Sequence, residues 1–226
     1  MLAPLLHTDP SSPRLTVYDD SRGVRMDFSA QTLDNWASKV ANMLDDEFDL
    51  ASDGSVAIDL PVSWQAAVIA IGTYNSSRTP LIDASGTPSP DVIFTTLEGA
   101  ARWDHVPDCV VVSDDPFGRG VEESGGELPF GVNDFSPELR VHPDAFMGSA
   151  PLNPSADVDV VRAAAEQLET EHGIGRGARV VMGPWDDVRG LARCLSPLLV
   201  GGSVVMSTDS HPARLEELKD TEKADV

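Results

Sequence analysis

Residues 27–83 alternate two periods, and this alternation restricts the fold more than any other part of the chain. Leu33, Trp36, Ala37, Val40, Met43 and Leu44 recur at helical spacing and form one apolar stripe. A short apolar run, SVAIDL (Ser55 to Leu60), reads as a strand that Pro61 ends. A second helix extends from Ser63 to about Asn75, with Trp64, Ala67, Val68 and Ile71 on one face, and TPLID (Thr79 to Asp83) is the next strand. Helices and short strands alternating at these lengths predict βαβ units and a parallel sheet flanked by helices. Ser29 and Ser63 stand where N-caps are needed. Asp45, Asp46 and Glu47 fall at a helix C-terminus, where the helix dipole disfavours them, and read as a solvated end.

The flanking sequence extends the pattern. RLTVYD (14–19) and VRMDF (24–28), joined by DSRG, predict a hairpin. DVIFT (91–95) predicts a strand, TLEGAARWD (96–104) a short helix, and CVVVS (109–113) a fully apolar strand. Gly, Pro, Ser and acidic residues then dominate 114–154. That length of loop is functional or a linker, and its apolar islands LPFGV and ELRV are candidate edge strands. A helix near Ser155 carries Val158, Val161, Ala165 and Leu168. A strand at Val180–Gly183, a helix through Val188, Leu191, Ala192, Leu195 and Leu199, the strand GGSVVMS and a final surface helix follow.

With Pro184 laid on Pro61, strand, Pro, helix and strand coincide without a gap, although the tryptophans fall out of register. This predicts an α/β fold of two similar αβαβ lobes with mainly parallel sheets. The first lobe is 1–113 with its N-terminal hairpin, 114–154 is the loop or linker, and 155–226 is the second lobe. Two unrelated βαβ units with similar punctuation remain an alternative.

Charge excludes some partners. There are 37 acidic and 16 basic residues, a formal net charge of −21, and such a field repels phosphate backbones and anionic membranes. Only Lys39, Lys219 and Lys223 are lysines. Cys109 and Cys194 lie far apart in apolar runs with no CxxC pair. They read as buried free thiols of a cytoplasmic protein rather than as a zinc or redox site. MLAPLLHTDPSSPR lacks the basic-then-apolar order of a signal peptide, and no apolar run approaches the roughly 20 residues of a membrane span.

Three segments together resemble the front half of the N-terminal domain of the adenylate-forming superfamily, which includes acyl-CoA synthetases. DFSAQTLDNWASKVANML is similar to the family's early helix. SVAIDLPVSWQAAVIAIGTYNSSRTPLID is similar to the strand, helix and strand that follow, and RVVMGPWDDVRGLARCLSPLLVGGSVVM to the later P-L-F-H…L-L-x-G-G-x-V-V segment. The chain most resembles a short actinobacterial group of AMP-binding-like proteins without catalytic motifs. The family's phosphate loop ends in Pro-Lys-Gly, and its backbone N–H groups and lysine hold ATP phosphates. Its place here holds MGSAPLNPSADV (147–158), with one Gly and no Lys. Asp187 stands where the family has histidine. The family's later aromatic-Gly-x-Thr-Glu motif, its ribose Asp and its lysine-bearing domain have no counterpart in these residues.

The resemblance and its departures imply a non-catalytic AMP-binding-like protein that binds a partner or small ligand. The candidate cleft between the lobes is lined from Pro61, Trp64, Asp83, Pro184, Trp185 and Asp187, with no catalytic residue, metal or cofactor expected. The alternative is part of an adenylate-forming enzyme that uses Mg·ATP and is completed by another chain. A third reading is a structural subunit or homodimer covering an apolar face. ASGTPSPD (84–91) and GIGRG (173–177) imitate phosphate loops, but the first lacks a lysine and the second precedes a strand, so both read as turns. Asp186 and Asp187 read as cap and dipole partners, Asp114, Asp115, Glu122 and Glu123 as solvated loop acids, and both tryptophans as core. No zinc-type His spacing and no G-x-S-x-G elbow occurs.

Overall fold

The computed structural model describes residues 1–82, 89–148, 157–172 and 175–225. Its elements run α1 (Ala3–Thr8), β1 (Pro13–Asp19), β2 (Val24–Ser29), α2 (Ala30–Asn42), β3 (Val56–Asp59), α3 (Trp64–Asn75), β4 (Pro80–Ile82), β5 (Val92–Thr95), β6 (Asp108–Val111), β7 (Asn133–Asp134), α4 (Phe135–Leu139), α5 (Asp157–His172), β8 (Arg179–Met182), α6 (Val188–Leu199), β9 (Ser203–Ser207) and α7 (Pro212–Glu222). The predicted mixture of helices and mainly parallel strands is present, and the strand–helix–strand unit recurs. In both β3–α3–β4 and β8–α6–β9 the two strands are adjacent and parallel.

Contacts divide the chain into two compact units that are discontinuous in sequence. One holds Met1–Asp34, Pro61–Ala67 and Pro154–Val226; the other holds Asn35–Leu60 and Val68–Asn153. In the first unit the sheet order is β2-β1-β9-β8. The N-terminal hairpin, read from sequence with the first lobe, therefore pairs with the C-terminal strands: Leu15 to Tyr18 run parallel to Val204 to Ser207. The alternation in RLTVYD specifies a half-buried strand but not its partner, so the register across this sequence distance was not legible.

Charged side chains decorate this sheet in a closed network. Glu222 at the end of α7 accepts from Arg25 Nε at 2.8 Å, Tyr18 Oη at 2.5 Å and Arg179 at 2.5 Å. Arg179 also donates to Thr16 Oγ1 at 2.9 Å, and Thr16 to Asp27 at 2.7 Å. Arg214 lies over the Tyr18 ring, 5.3 Å from its centroid, and donates to Asp20 at 2.7 Å.

The second unit has an all-parallel sheet ordered β4-β3-β5-β6-β7. Its inner strands are continuous apolar runs buried on both faces, as parallel strands between helices are. Ala57, Ile93, Cys109 and Val111 form a core with Ala100, Val106 and Val121. Phe94 meets Phe135 edge to face, with centroids 5.9 Å apart. Gly72 of α3 makes close helix packing possible, because a Cβ there would lie 2.6 Å from both the Ala37 carbonyl oxygen and Val40 Cβ of α2.

Three local expectations change. The acidic run after α2 is not merely a solvated end. The helix widens to a π turn at Met43–Glu47, and Asp45 pairs at 2.7 Å with Arg78, whose side chain is 4% exposed. Arg78 also donates to the Leu50 carbonyl and, at 3.0 Å, to that of Ala51, so the acid neutralises a buried cation that closes the 50–51 turn. Thr96–Asp104 forms only a single 3₁₀ turn, Ala100–Arg102, with Thr96 Oγ1 accepting the Gly99 N–H at 3.0 Å and the Trp103 N–H bonding back to the Ala100 carbonyl. Within 114–148, the segment after LPFGV supplies the short edge strand β7, whereas ELR lies at the end of α4 and beyond it.

One of the loop acids, Asp115, is structural rather than solvated, and Glu123 is exposed but paired. Asp115 is 7% exposed and accepts from the Phe117 and Arg119 amides and from the Arg119 guanidinium at 2.6 Å. Glu123 accepts from Gly120 N at 2.8 Å and from Arg140 at 2.5 Å. Lys39 pairs with Asp144 at 2.9 Å and donates to the His142 carbonyl. Asn42 donates to the carbonyls of Pro143 and Ala145, so α2 holds the 140–145 segment from two positions.

Candidate functional site

The strand-end residues singled out in the sequence converge on one unit. Pro61, Trp64, Pro184, Trp185 and Asp187 all belong to the unit that contains both chain ends, while Asp83 lies outside the described residues. Ser63 caps α3 by accepting the Ala66 N–H at 3.1 Å, as its position predicted. The next residue, Trp64, is 4% exposed and rests against Phe28 of β2, with ring centroids 5.1 Å apart. Asp187 caps α6, its Oδ1 accepting the Gly190 N–H at 2.7 Å. Gly190 turns the first helical turn back over Trp185, since a Cβ would lie 3.0 Å from that of Trp185. Trp185 is 7% exposed, whereas Pro61 and Pro184 are exposed. Both tryptophans are core residues, and the surface at these strand ends consists of the prolines and the Asp186–Asp187 turn.

Cys194 of α6 donates its thiol to the Gly183 carbonyl at 3.9 Å, tying the helix to the residue after β8. Burial pushes this thiol up to about 12, so it is a packing group and not a nucleophile. Cys109 is likewise buried, and burial raises its value as well.

A second constellation lies in the other unit and was not singled out in the sequence. The chain leaves β3 for β4 on one side and β5 for β6 on the other, so the strand order reverses between β3 and β5. Beyond the carboxyl ends of strands at such a reversal is where open α/β sheets bind ligands. Asp59 and Thr95 are the paired last residues of these strands. Asp59 Oδ2 accepts from Thr95 Oγ1 at 3.1 Å, Arg102 at 2.7 Å and Trp103 Nε1 at 2.7 Å. The Arg102 side chain is 68% exposed, and His105 stacks on Trp103 with centroids 6.0 Å apart. Asp59 is thus a satisfied anchor that holds an exposed guanidinium and an aromatic pair beyond the carboxyl ends of two inner strands. A polar residue ending an apolar strand was the available signal, but the carboxylate's partners are dozens of residues away. Among the described residues no group of three or more His, Cys, Asp or Glu side chains could hold a metal ion, and no helix is long and apolar enough to cross a membrane.

No protein-family model matches the chain. It is 33% identical to a TIGR03089 family protein of Mycobacterium tuberculosis over 238 aligned positions, covering 99% of this chain and 94% of that protein. Among solved structures, an acyl-CoA synthetase of Brucella canis matches with a TM-score of 0.74 at 15% identity, over 96% of this chain and 44% of that one. Apo MatB from Rhodopseudomonas palustris matches at 0.70 and 16%, over 97% and 47%, and the acetoacetyl-CoA synthetase of Streptomyces lividans at 0.71 and 15%, over 96% and 39%. The chain thus has the fold of part of an acyl-CoA synthetase and spans less than half the length of each of these three structures.

Proposed function

We propose that this chain, which belongs to the TIGR03089 family, keeps an adenylate-forming fold as a binding scaffold and does not itself form adenylates. The observation that carries the reading is Asp187. It stands in place of the histidine of the resembled motif, and its carboxylate is committed to the Gly190 amide as a helix cap. Adenylation brings a carboxylate onto an α-phosphate, and several anions must then be neutralised together. The stretch aligned with the phosphate loop, 147–158, contains no lysine, and the chain carries a formal charge of −21. Lys39 is occupied by loop carbonyls and Asp144.

We assign the ligand or partner surface to the exposed strand-end residues of the first unit, Pro61, Pro184 and Asp187, with the buried Trp64 and Trp185 beside them in sequence, working without metal or cofactor. Two free buried thiols fit a reducing cytoplasm. The second reading is an adenylate-forming part completed by another polypeptide, which the partial coverage of the synthetases favours.

Isothermal titration with Mg·ATP, followed by carboxylic-acid-dependent ATP–pyrophosphate exchange, tests both. The expected result is neither micromolar binding nor exchange. Exchange by the purified chain alone overturns the proposal; exchange that appears only with an added second polypeptide supports the alternative.

A further inference from the structure

The β7–α4 corner encloses three carboxyl oxygens that lack donors, both of Asp134 and one of Glu138. Asp134 is 6% exposed, and neither of its carboxylate oxygens has a hydrogen-bond partner among the described residues. The cause is local. Asp134 caps α4, but the third helical residue is Pro137, which has no N–H to give. Glu138 Oε1 accepts the Asp134 N–H at 3.0 Å, while its Oε2 is enclosed and unpartnered. Gly120 closes the other side, because a Cβ there would lie 2.5 Å from Asp134 Oδ2. Two ionised carboxylates enclosed side by side with so few donors are strongly disfavoured, and a single proton held between them relieves the cost.

The surrounding charges point the same way. Burial foremost, with the negative charges of Glu47 and Asp134, raises Glu138 above the ordinary glutamate value, against the opposing Asp134 N–H and His142. His142 is itself bonded to Glu47 at 2.9 Å. The nearby Glu123–Arg140 and Asp115–Arg119 charges are paired with each other. Two carboxylates whose oxygens are closed to water suit a proton better than a hydrated divalent ion.

We propose that Glu138 is held as a neutral carboxylic acid whose Oε2–H is given to the Asp134 carboxylate, so that the β7–α4 corner is a proton-operated latch. One proton supplies a partner to both Glu138 Oε2 and one oxygen of Asp134. When the O–H bond breaks, the proton passes to water, two enclosed like charges face each other, and α4 loosens together with the segment that follows it. Because folding takes up this proton, the latch is tight below the raised Glu138 value and weakens as pH rises through it.

The test follows the Glu138 and Asp134 side-chain carboxyl carbons by NMR across pH in the full chain, with amide hydrogen exchange over 133–142. Glu138 is expected to titrate above the ordinary glutamate value, and exchange over 135–142 to accelerate about tenfold or more across the same pH range. Glu138→Gln, whose amide donates to Asp134 at every pH, is expected to abolish that dependence. Asp134→Asn is expected to move the Glu138 titration down and provides a second variant should the first fail to fold. An ordinary or lowered Glu138 titration, a pH dependence that survives Glu138→Gln, or an unmoved titration in Asp134→Asn overturns the latch. Carboxyl resonances that shift with magnesium or calcium chloride at fixed pH also overturn it, since the corner would then be a metal site.

Discussion

Replacing Glu222 by Gln removes one charge from the centre of the network on the first unit's sheet while keeping the shape of the side chain. The hydrogen bond from Arg25 leads, with those of Tyr18 and Arg179 behind it, and together they outweigh burial and hold the carboxyl at about 2 against an ordinary 4.5. At about 1.4 kcal/mol per pH unit this difference is worth about 3 kcal/mol. Arg25 is 42% exposed, so solvent screens the pair, and about 1–2 kcal/mol is the expected contribution. The sign is that of a depressed acid: the stabilisation is complete above pH 4.5 and is lost as pH falls toward 2. Urea denaturation of both proteins across that range is the assay. The Gln variant should be weaker by about 1–2 kcal/mol at neutral pH, and the gap should narrow steadily in acid. A gap that does not change with pH refutes the electrostatic account, and no gap at neutral pH removes the network from the stability of the sheet.

Two further substitutions test the second unit. Arg78→Ala leaves Asp45 and the Leu50 and Ala51 carbonyls without their cation, and a loss of about 3 kcal/mol is expected from thermal or urea unfolding. Gly72→Ala forces a methyl group against the Ala37 carbonyl and Val40, and an overpacking cost of about 1–3 kcal/mol is expected by the same measurement.

The sequence exposed what depends on local period and lost what depends on distant partners. Ser29, Ser63 and Asp187 cap helices as their positions require, because a cap is decided within three residues. The runs VAID, VIFT and DCVV are short, largely apolar and bounded by turn residues, which is the pattern of strands covered on both faces in a parallel sheet. The hairpin's attachment to β9 was hidden, since alternation carries no address. Of the candidate site, the tryptophans were legible as core, whereas Asp59 with Arg102 and Trp103 was not, because one carboxylate in IDL looks the same whether or not an arginine reaches it. The role of Asp45 was hidden for the same reason, since its partner Arg78 lies 33 residues away, whereas Asp115 is buried by a turn that brings Arg119, four residues on, back over it.

The parallel pairing of β1 with β9 also fixes an order of events during synthesis. The hairpin, residues 13–29, leaves the ribosome long before its neighbour, residues 203–207, is synthesised. Until then β1 carries an open hydrogen-bonding edge, the kind that recruits strands from other chains. Nascent or clipped forms lacking β9 are therefore expected to associate through residues 13–19 more readily than the folded chain.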